Sequence, residues 1–416
     1  MSLVSGISFL IALGILISWF RDNTDLLSPG KVFAFVWAFA IGLTDFKFSG
    51  LQHQWSLEVW MHIIIGPSAF ILGTILIYTF NLNREVWTNN LLRSERNAYG
   101  VDNDRLYIAI TVLFFLFIFA YIAIVAKAGT IPIFSSQPSK VRANFNLFGI
   151  GLFIHNVVLV VFFTFIYFIY EKENKLKRRI LAGYAIASFL LYAVTLQRYQ
   201  LFLTIVMVFI LLYYTTFRIK TRTVFIVLSV IIIFFLIVSS VRAGELVIFV
   251  LYKFSKMKFS PQYAIFTEPY MYVAMNLENY ARTIEKLDNF TYGFYTFDFL
   301  SAISGLKHWL IDYFALEETP FLISDYNTYS AFMPFYRDFG LLGIFFIPLL
   351  GGLSIGSLYY SFKAQPSLMK LTFYGFFLFG LIFSFFNSPF GFLWYIYNLT
   401  AIFLVFKYIN TPSSKR

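Results

Sequence analysis

The sequence predicts an all-α, polytopic membrane protein of about eleven transmembrane helices carrying one large extracytoplasmic loop domain. Three observations predict it. Of 416 residues, 59% are hydrophobic and only 13% charged, where soluble globular chains carry about 25% charged residues. Mean hydropathy is correspondingly high, at +0.73. Apolar runs long enough to cross a hydrocarbon core of about 30 Å recur along nearly the whole chain, and with two exceptions the loops between them are short. This composition excludes a soluble enzyme, and continuous apolar runs exclude the alternating pattern of an outer-membrane barrel.

In order, the spans are 2 to 20, 31 to 45, 59 to 80, 106 to 126, 148 to 170, 180 to 196, 200 to 217, 223 to 240, 339 to 360, 370 to 386 and 389 to 406. The first lacks a basic segment before it and a small-residue cleavage site after it, so it reads as a retained span. The second is short and ends on Asp45, and only Leu196 to Tyr199 separates the sixth from the seventh. In the ninth, Gly351, Gly352, Ile355 and Gly356 provide small residues for close helix packing. Lys and Arg set sidedness, because cations beside a helix are retained in the cytoplasm. One set of alternate short loops holds nineteen of them and the other only five, namely Lys47, Lys127, Lys140, Arg142 and Arg198. The N-terminus is therefore expected outside and the C-terminus in the cytoplasm. The net charge of +11 reflects this asymmetry and attraction to the lipid bilayer, with no call for nucleic acid.

The two exceptional loops both fall outside. One, from Lys127 to Leu147, contains Gly129 to Phe134 and then Lys140 and Arg142. The other runs from Arg242 to about Tyr336 and is rich in aromatic residues, which argues against disorder. The expected organisation is thus 1–241 with eight spans, a loop domain at 242–336, and 337–416 with three spans. Inside the loop domain, Thr267, Glu268 and Pro269 start a helix with an apolar stripe at Tyr270, Val273, Ala274, Leu277, Ala281, Ile284 and Leu287. The opposite face offers Asn276, Asn279 and Thr283.

Charges at the rim of a membrane protein are costly and point to function. Arg142, Arg198, Arg242 and Arg337 each sit beside apolar segments on the outer side. Arg198 stands out, since the positive-inside bias should remove a cation from so short an outer turn. Guanidinium groups there suit a lipid diphosphate, which they grip bidentately; the bland reading is interfacial arginines snorkelling to headgroups. At 4 Å and an effective dielectric of 20, each charge pair is worth about 4 kcal/mol before desolvation. An acid or base at the same rim must come from Glu268, Asp298, Asp312, Asp325, Asp338 or His308, among which the sequence does not choose. The aromatic and amide residues of this region, among them Tyr295, Tyr326, Asn327 and Tyr329, suit carbohydrate stacking and equally an interfacial aromatic belt. Cys is absent, the four histidines have no ligand spacing, and Asp102 to Asp104 reads as a helix cap, so no metal or other cofactor is expected.

Asn327, Thr328 and Tyr329 followed by Pro334 to Gly340 and Gly343 resemble the pattern N-x-Y-x-x-x-x-P-F-Y-x-D-F-G-x-x-G of bacterial oligosaccharide repeat-unit polymerases, the O-antigen polymerase (Wzy) type. Leu27 to Lys31 with Trp37 resembles that family's early segment, Gly129 to Phe134 with Arg142 its first outer loop, and Arg198 its arginine opening an apolar span. The resemblance implies a multi-span, GT-C-like glycosyltransferase in the bacterial inner membrane that works without metal or nucleotide. Its substrate is an undecaprenyl-diphosphate-linked oligosaccharide, from which a growing glycan passes to the sugar hydroxyl of a second lipid-linked repeat unit at the outer face, building O-antigen, capsule or exopolysaccharide. A chain-length regulator and a flippase are the partners it suggests. Arg142 and Arg198 match the family's outer arginines, and Asn327, Tyr329, Asp338 and Gly340 its late block. Arg198, with Arg142 and Arg242, is expected to assist departure of the diphosphate. Asp338 and Glu268 are candidates for catalysis, and Asn276, Asn279, Asn327, Tyr329 and Arg337 for substrate binding. Asp338 reads equally well as a turn residue, and Glu268, Asn276 and Asn279 rest on their helix alone.

Three alternatives remain. A glycan ligase would share the carrier chemistry and need an outer histidine, for which His308 is the candidate. A flippase or transporter would place ionisable residues deep in several spans, and most spans here have none. A non-enzymatic scaffold for envelope assembly is the third.

Overall fold

The computed structural model describes residues 2–20, 25–82, 101–215, 226, 229, 248–313, 322–323 and 326–410. Among them the chain is helical, and its one β feature is an isolated antiparallel bridge between Ser49 and Met257. The helices are α1 (Leu3–Trp19), α2 (Pro29–Thr44), α3 (Leu57–Phe80), α4 (Asn103–Ala128), α5 (Pro138–Ala143), α6 (Asn156–Tyr170), α7 (Lys175–Ala193), α8 (Tyr199–Thr215), α9 (Thr267–Lys286), α10 (Asp298–Ser304), α11 (Leu306–Tyr313), α12 (Phe332–Ala364), α13 (Leu368–Ile382) and α14 (Leu393–Asn410). Ten predicted spans each overlap one of these helices; the eighth, 223 to 240, lies outside the described residues apart from 226 and 229. Among the described residues, four helical stretches are long and apolar enough to cross a membrane: Leu57–Phe80, Asn103–Phe134, Ile150–Tyr170 and Phe332–Ala364. Shorter apolar helices accompany them at Leu3–Trp19, Pro29–Thr44, Tyr199–Thr215 and Leu368–Ile382.

Local chemistry explains the boundaries. The Ser56 hydroxyl caps α3 by accepting from Val59 N, and Pro29 occupies the first turn of α2, where its missing N–H costs nothing. Asp102 caps α4, its carboxylate accepting from Asp104 N and Arg105 N at 3.0 Å, so the DxD forms a helix start. Gly129 closes the same helix at φ +72°.

By their contacts the residues form two compact units that interleave along the chain: Met1–Thr88, Ile219–Tyr360 and Gly380–Phe392 in the first, and Asn89–Arg218, Ser361–Phe379 and Leu393–Arg416 in the second. This division crosses the boundaries at 241 and 336 that loop length suggested. In the first unit, α2 packs against α1, α3 and α9 around Phe33, Trp37, Phe70 and Phe332, and the Trp37 indole donates to Ser384 Oγ at 2.8 Å. The glycines of the ninth span do pack closely. A Cβ on Gly352 would run into the Phe70 carbonyl, and one on Gly73 into that of Leu349. Inside α12, Gly340 is non-helical at φ +58° and ψ −139°, a conformation open only to glycine, and an added Cβ would lie 2.7 Å from the Phe290 ring. In the second unit α6 is the central helix. It is apolar on every face, buries Val157 through Phe163, and packs against α4, α7 and α8.

The loop contacts sort by side. In the first unit Ser5 Oγ donates to Asp45 Oδ2 at 2.8 Å at one end, and Tyr359 Oη donates to Asp25 Oδ2 at 2.8 Å at the other. In the second, Lys177 pairs with Asp104 at 2.6 Å and Arg105 Nη1 reaches Tyr408 O at 3.2 Å, while Gln197 Nε2 donates to Phe145 O at 3.3 Å. Each pair joins segments that the Lys and Arg distribution assigns to one side.

Candidate functional site

In the first unit the site is built on the start of α12. Residues 291–296 wrap around the Arg337–Asp338 backbone: Thr291 N donates to Arg337 O at 3.1 Å and Tyr292 N to Asp338 O at 3.2 Å. Tyr292 at φ +48° and Gly293 at φ +103° make the turn. The fully buried Asp338 carboxylate is the post of this wrap, accepting from Thr291 Oγ1, from Tyr295 N at 3.2 Å and from Thr296 N. The wrap delivers Tyr295 to Arg337. The guanidinium lies 3.6 Å from the ring centroid, and Nη2 donates to the Tyr295 hydroxyl at 2.6 Å.

Tyr295 then lines a cavity of about 130 Å³ with Tyr329, Asp298, Lys307, Pro334 and Ser388. Lys307 Nζ is 3.0 Å from Asp298 Oδ1, so the wall combines an ion pair, two phenols and a hydroxyl. Such a wall can stack a sugar ring and hydrogen-bond its hydroxyls.

Helix α9 fixes the opposite side of Tyr329 through an amide. Asn279 Oδ1 accepts from Ile323 N at 2.8 Å, while its Nδ2 donates to Tyr326 O at 2.9 Å and Thr328 O at 2.8 Å. Asn276, Asn279 and Thr283 are fully buried, so the face that looked open in the sequence is packed and Asn279 acts on the loop. Asn276 Nδ2 donates to Tyr272 O. Glu268 sits half-buried at the start of α9, and Asn327 is exposed on the held loop.

The same helix carries a buried charge that sequence reading missed. Glu278, with no exposed surface, accepts from Trp55 Nε1 at 2.9 Å and from His53 N at 3.1 Å, contacts the His53 ring, and lies 3.6 Å from Lys47 Nζ. Lys47 also stands 3.5 Å over the Trp55 ring, and burial lowers its pKa to about 8 against the opposing pull of Glu278. His53 Nε2 is 2.8 Å from Glu285. This hub ties residues 47–55 to α9. Nothing in its sequence spacing sets Glu278 apart from a solvated helix face, and Lys307 has no local signal either.

The second unit holds the other arginines. Arg198, half-buried, begins the first turn of α8, its carbonyl accepting from Phe202 N at 3.1 Å, and the next residue, Tyr199, packs 5.4 Å from Trp394. Arg142 lies exposed in α5. The two belong to touching segments: Ile133 N donates to Val194 O at 3.3 Å, and Gln197 Nε2 donates to Phe145 O. Arg242 and Asp325 lie outside the described residues, as do the side chains of His308 and Asp312. Among the described residues no group of three His, Asp or Glu side chains is placed to hold a metal ion.

A sequence model of the family described as "Putative O-antigen polymerase" matches residues 27–266, more than half of the chain. The match includes the early segment, the Gly129 to Phe134 loop, Arg142 and Arg198, and it ends before the block at 327–343. No curated protein and no solved structure matches.

Proposed function

Because the chain belongs to the O-antigen polymerase family, we propose that it transfers a growing oligosaccharide from undecaprenyl diphosphate to a lipid-linked repeat unit at the outer face of the bacterial inner membrane. Eleven spans, an outer N-terminus and a cytoplasmic C-terminus complete this reading; the same-side pairing of loop contacts supports the alternation of the loops, and the Lys and Arg asymmetry supports the orientation. The observation that carries the assignment of a site is the cavity walled by Tyr295, Tyr329 and the Asp298–Lys307 pair, with Arg337 stacked on Tyr295.

In the reaction the bond from the anomeric carbon to the diphosphate oxygen breaks, and the acceptor hydroxyl oxygen forms the new glycosidic bond. Negative charge grows on the leaving diphosphate, and fixed guanidinium groups stabilise it without reorganising. Arg198, with Arg142, is assigned to that role, and Arg242 is kept as a third cation. The acceptor proton passes to a carboxylate. Asp298 is the best placed, since it lines the cavity, whereas Asp338 spends its oxygens on the 291–296 wrap. Tyr295 and Tyr329 hold the sugar, with Arg337 and Asn279 positioning them and Asn327 at the rim. Glu268 remains a second acid/base candidate. A flippase and a chain-length regulator would supply and terminate the reaction.

Deletion of the gene followed by gel analysis of surface glycan tests this. Single-unit capping in place of a ladder marks the polymerase, loss of all capping marks a ligase, and an unchanged profile refutes both. Complementation with Asp298→Asn should leave only single-unit capping at normal protein level; a full ladder removes Asp298 as the base.

A further inference from the structure

Helices α3 and α12 touch at two places. At one contact the Phe332 ring sits on Gly66, 3.0 Å from where a Cβ would be; at the other, Gly73 meets the Leu349–Leu353 backbone and Gly352 meets Phe70. The two contacts are seven residues apart on α3, about 10 Å of helix, and about twenty residues apart on α12, which breaks between them at Gly340. Past the break the chain packs against the turn before it, where a Cβ on Gly343 would run into the Phe335 carbonyl oxygen. Between α3 and this part of α12 lies a groove of about 390 Å³, lined by Ile65, Ser68, Leu72, Leu341, Leu342 and Phe345. Its volume falls within the range of ligand sites. Leu72, Leu341 and Leu342 are exposed there, on two of the helices long and apolar enough to cross a membrane, so the medium against them is hydrocarbon.

The groove is continuous with the site. On α12, Pro334 lines the polar cavity and Leu341 the apolar groove, seven residues along, with Arg337 and Asp338 between. A ligand with a polar, anionic head and a long flexible hydrocarbon chain fits this sequence of surfaces. We propose that the groove between α3 and α12 receives the isoprenoid chain of the lipid-linked substrate, next to the Arg337 turn. This rests on the polymerase reading for its occupant, and on the groove lined by both helices for its location. Glycine at 66, 73 and 352 fixes the two contacts, so the groove is preformed.

The test uses the full-length protein in phosphatidylethanolamine–phosphatidylglycerol vesicles with undecaprenyl phosphate carrying a diazirine in its chain, and in parallel a phospholipid carrying the same group in an acyl chain. Irradiation should label 65–72 and 341–345 with the isoprenoid probe in excess over the phospholipid probe. Ser68→Trp, which fills the groove, should cut that labelling about tenfold and shorten the glycan ladder, whereas Leu350→Trp, on exposed surface of α12 outside the groove, should change neither. Equal labelling by the two probes means an ordinary lipid contact and overturns the proposal, as does isoprenoid labelling elsewhere in the wild type. Both readouts use the wild type, so they hold even where Ser68→Trp fails to fold. A deletion strain with an unchanged glycan profile, together with selective groove labelling, would refute the polymerase reading and leave the groove standing; a normal ladder from Ser68→Trp would do the reverse.

Discussion

Asp338→Asn separates a structural carboxylate from a catalytic one. The wild-type carboxylate accepts from Thr291 Oγ1, Tyr295 N and Thr296 N while fully buried. An amide of the same shape keeps one oxygen and presents an NH₂ group where the second oxygen was, so at least one N–H faces another donor. Hydrogen bonds to a charged acceptor are worth about 1.5–3 kcal/mol each, and an orphaned buried donor costs about 1–3 kcal/mol. A loss near 3 kcal/mol in the stability of the 291–296 wrap is therefore expected. Hydrogen exchange reads this directly, because local opening sets the rate. The Tyr295 and Thr296 amides should exchange about a hundredfold faster, at about 1.4 kcal/mol per factor of ten. Tyr295 would then leave both Arg337 and the cavity, and the glycan ladder should shorten in parallel. Unchanged exchange at 295 and 296 refutes the anchoring argument, and loss of ladder with unchanged exchange would make Asp338 a participant in the chemistry.

Arg198→Ala should abolish polymer while the protein still inserts into the membrane, and Arg198→Lys should rescue poorly because the planar fork is lost; normal polymer length in the alanine strain rejects its role. Lys47 predicts a pH dependence of stability. Its pKa falls from 10.5 unfolded to about 8 folded, so between those values the unfolded chain binds the extra proton and stability rises with pH. The cost is present in full below pH 8 and disappears above about 10.5, a span worth about 3 kcal/mol. Unfolding of the detergent-solubilised protein from pH 7.5 to 10.5 should show this rise relative to Lys47→Met, and parallel profiles would contradict it.

How much of this was legible in sequence depends on the range of the forces involved. Helix positions were, because apolar run length, the caps at Ser56 and Asp102, and Pro29 act within a few residues. The Gly351, Gly352, Gly356 spacing correctly announced close packing, though not that Phe70 and Gly73 would be the partners. Helix α9 was found with its start at Thr267, yet its polar face was read as open. A 3.6-residue stripe assumes one buried side, and here Ile323, Tyr326, Thr328 and residues 47–55 cover the others. Asp338 reads in the sequence as either catalyst or turn residue, and its three donors from 291–296, which no local pattern announces, favour the second.

Composition and apolar run length thus determined by themselves that this chain lives in a bilayer and roughly where its helices run, since the transfer energy of a segment is a sum over its own residues. The pairing of Arg337 with Tyr295, of Lys307 with Asp298 and of Glu278 with Lys47, and the break of α12 at Gly340, were decided only by the tertiary structure. Each depends on groups from nine to more than two hundred residues apart, or on a backbone bend at one glycine, whose energies exist only once the helices have packed.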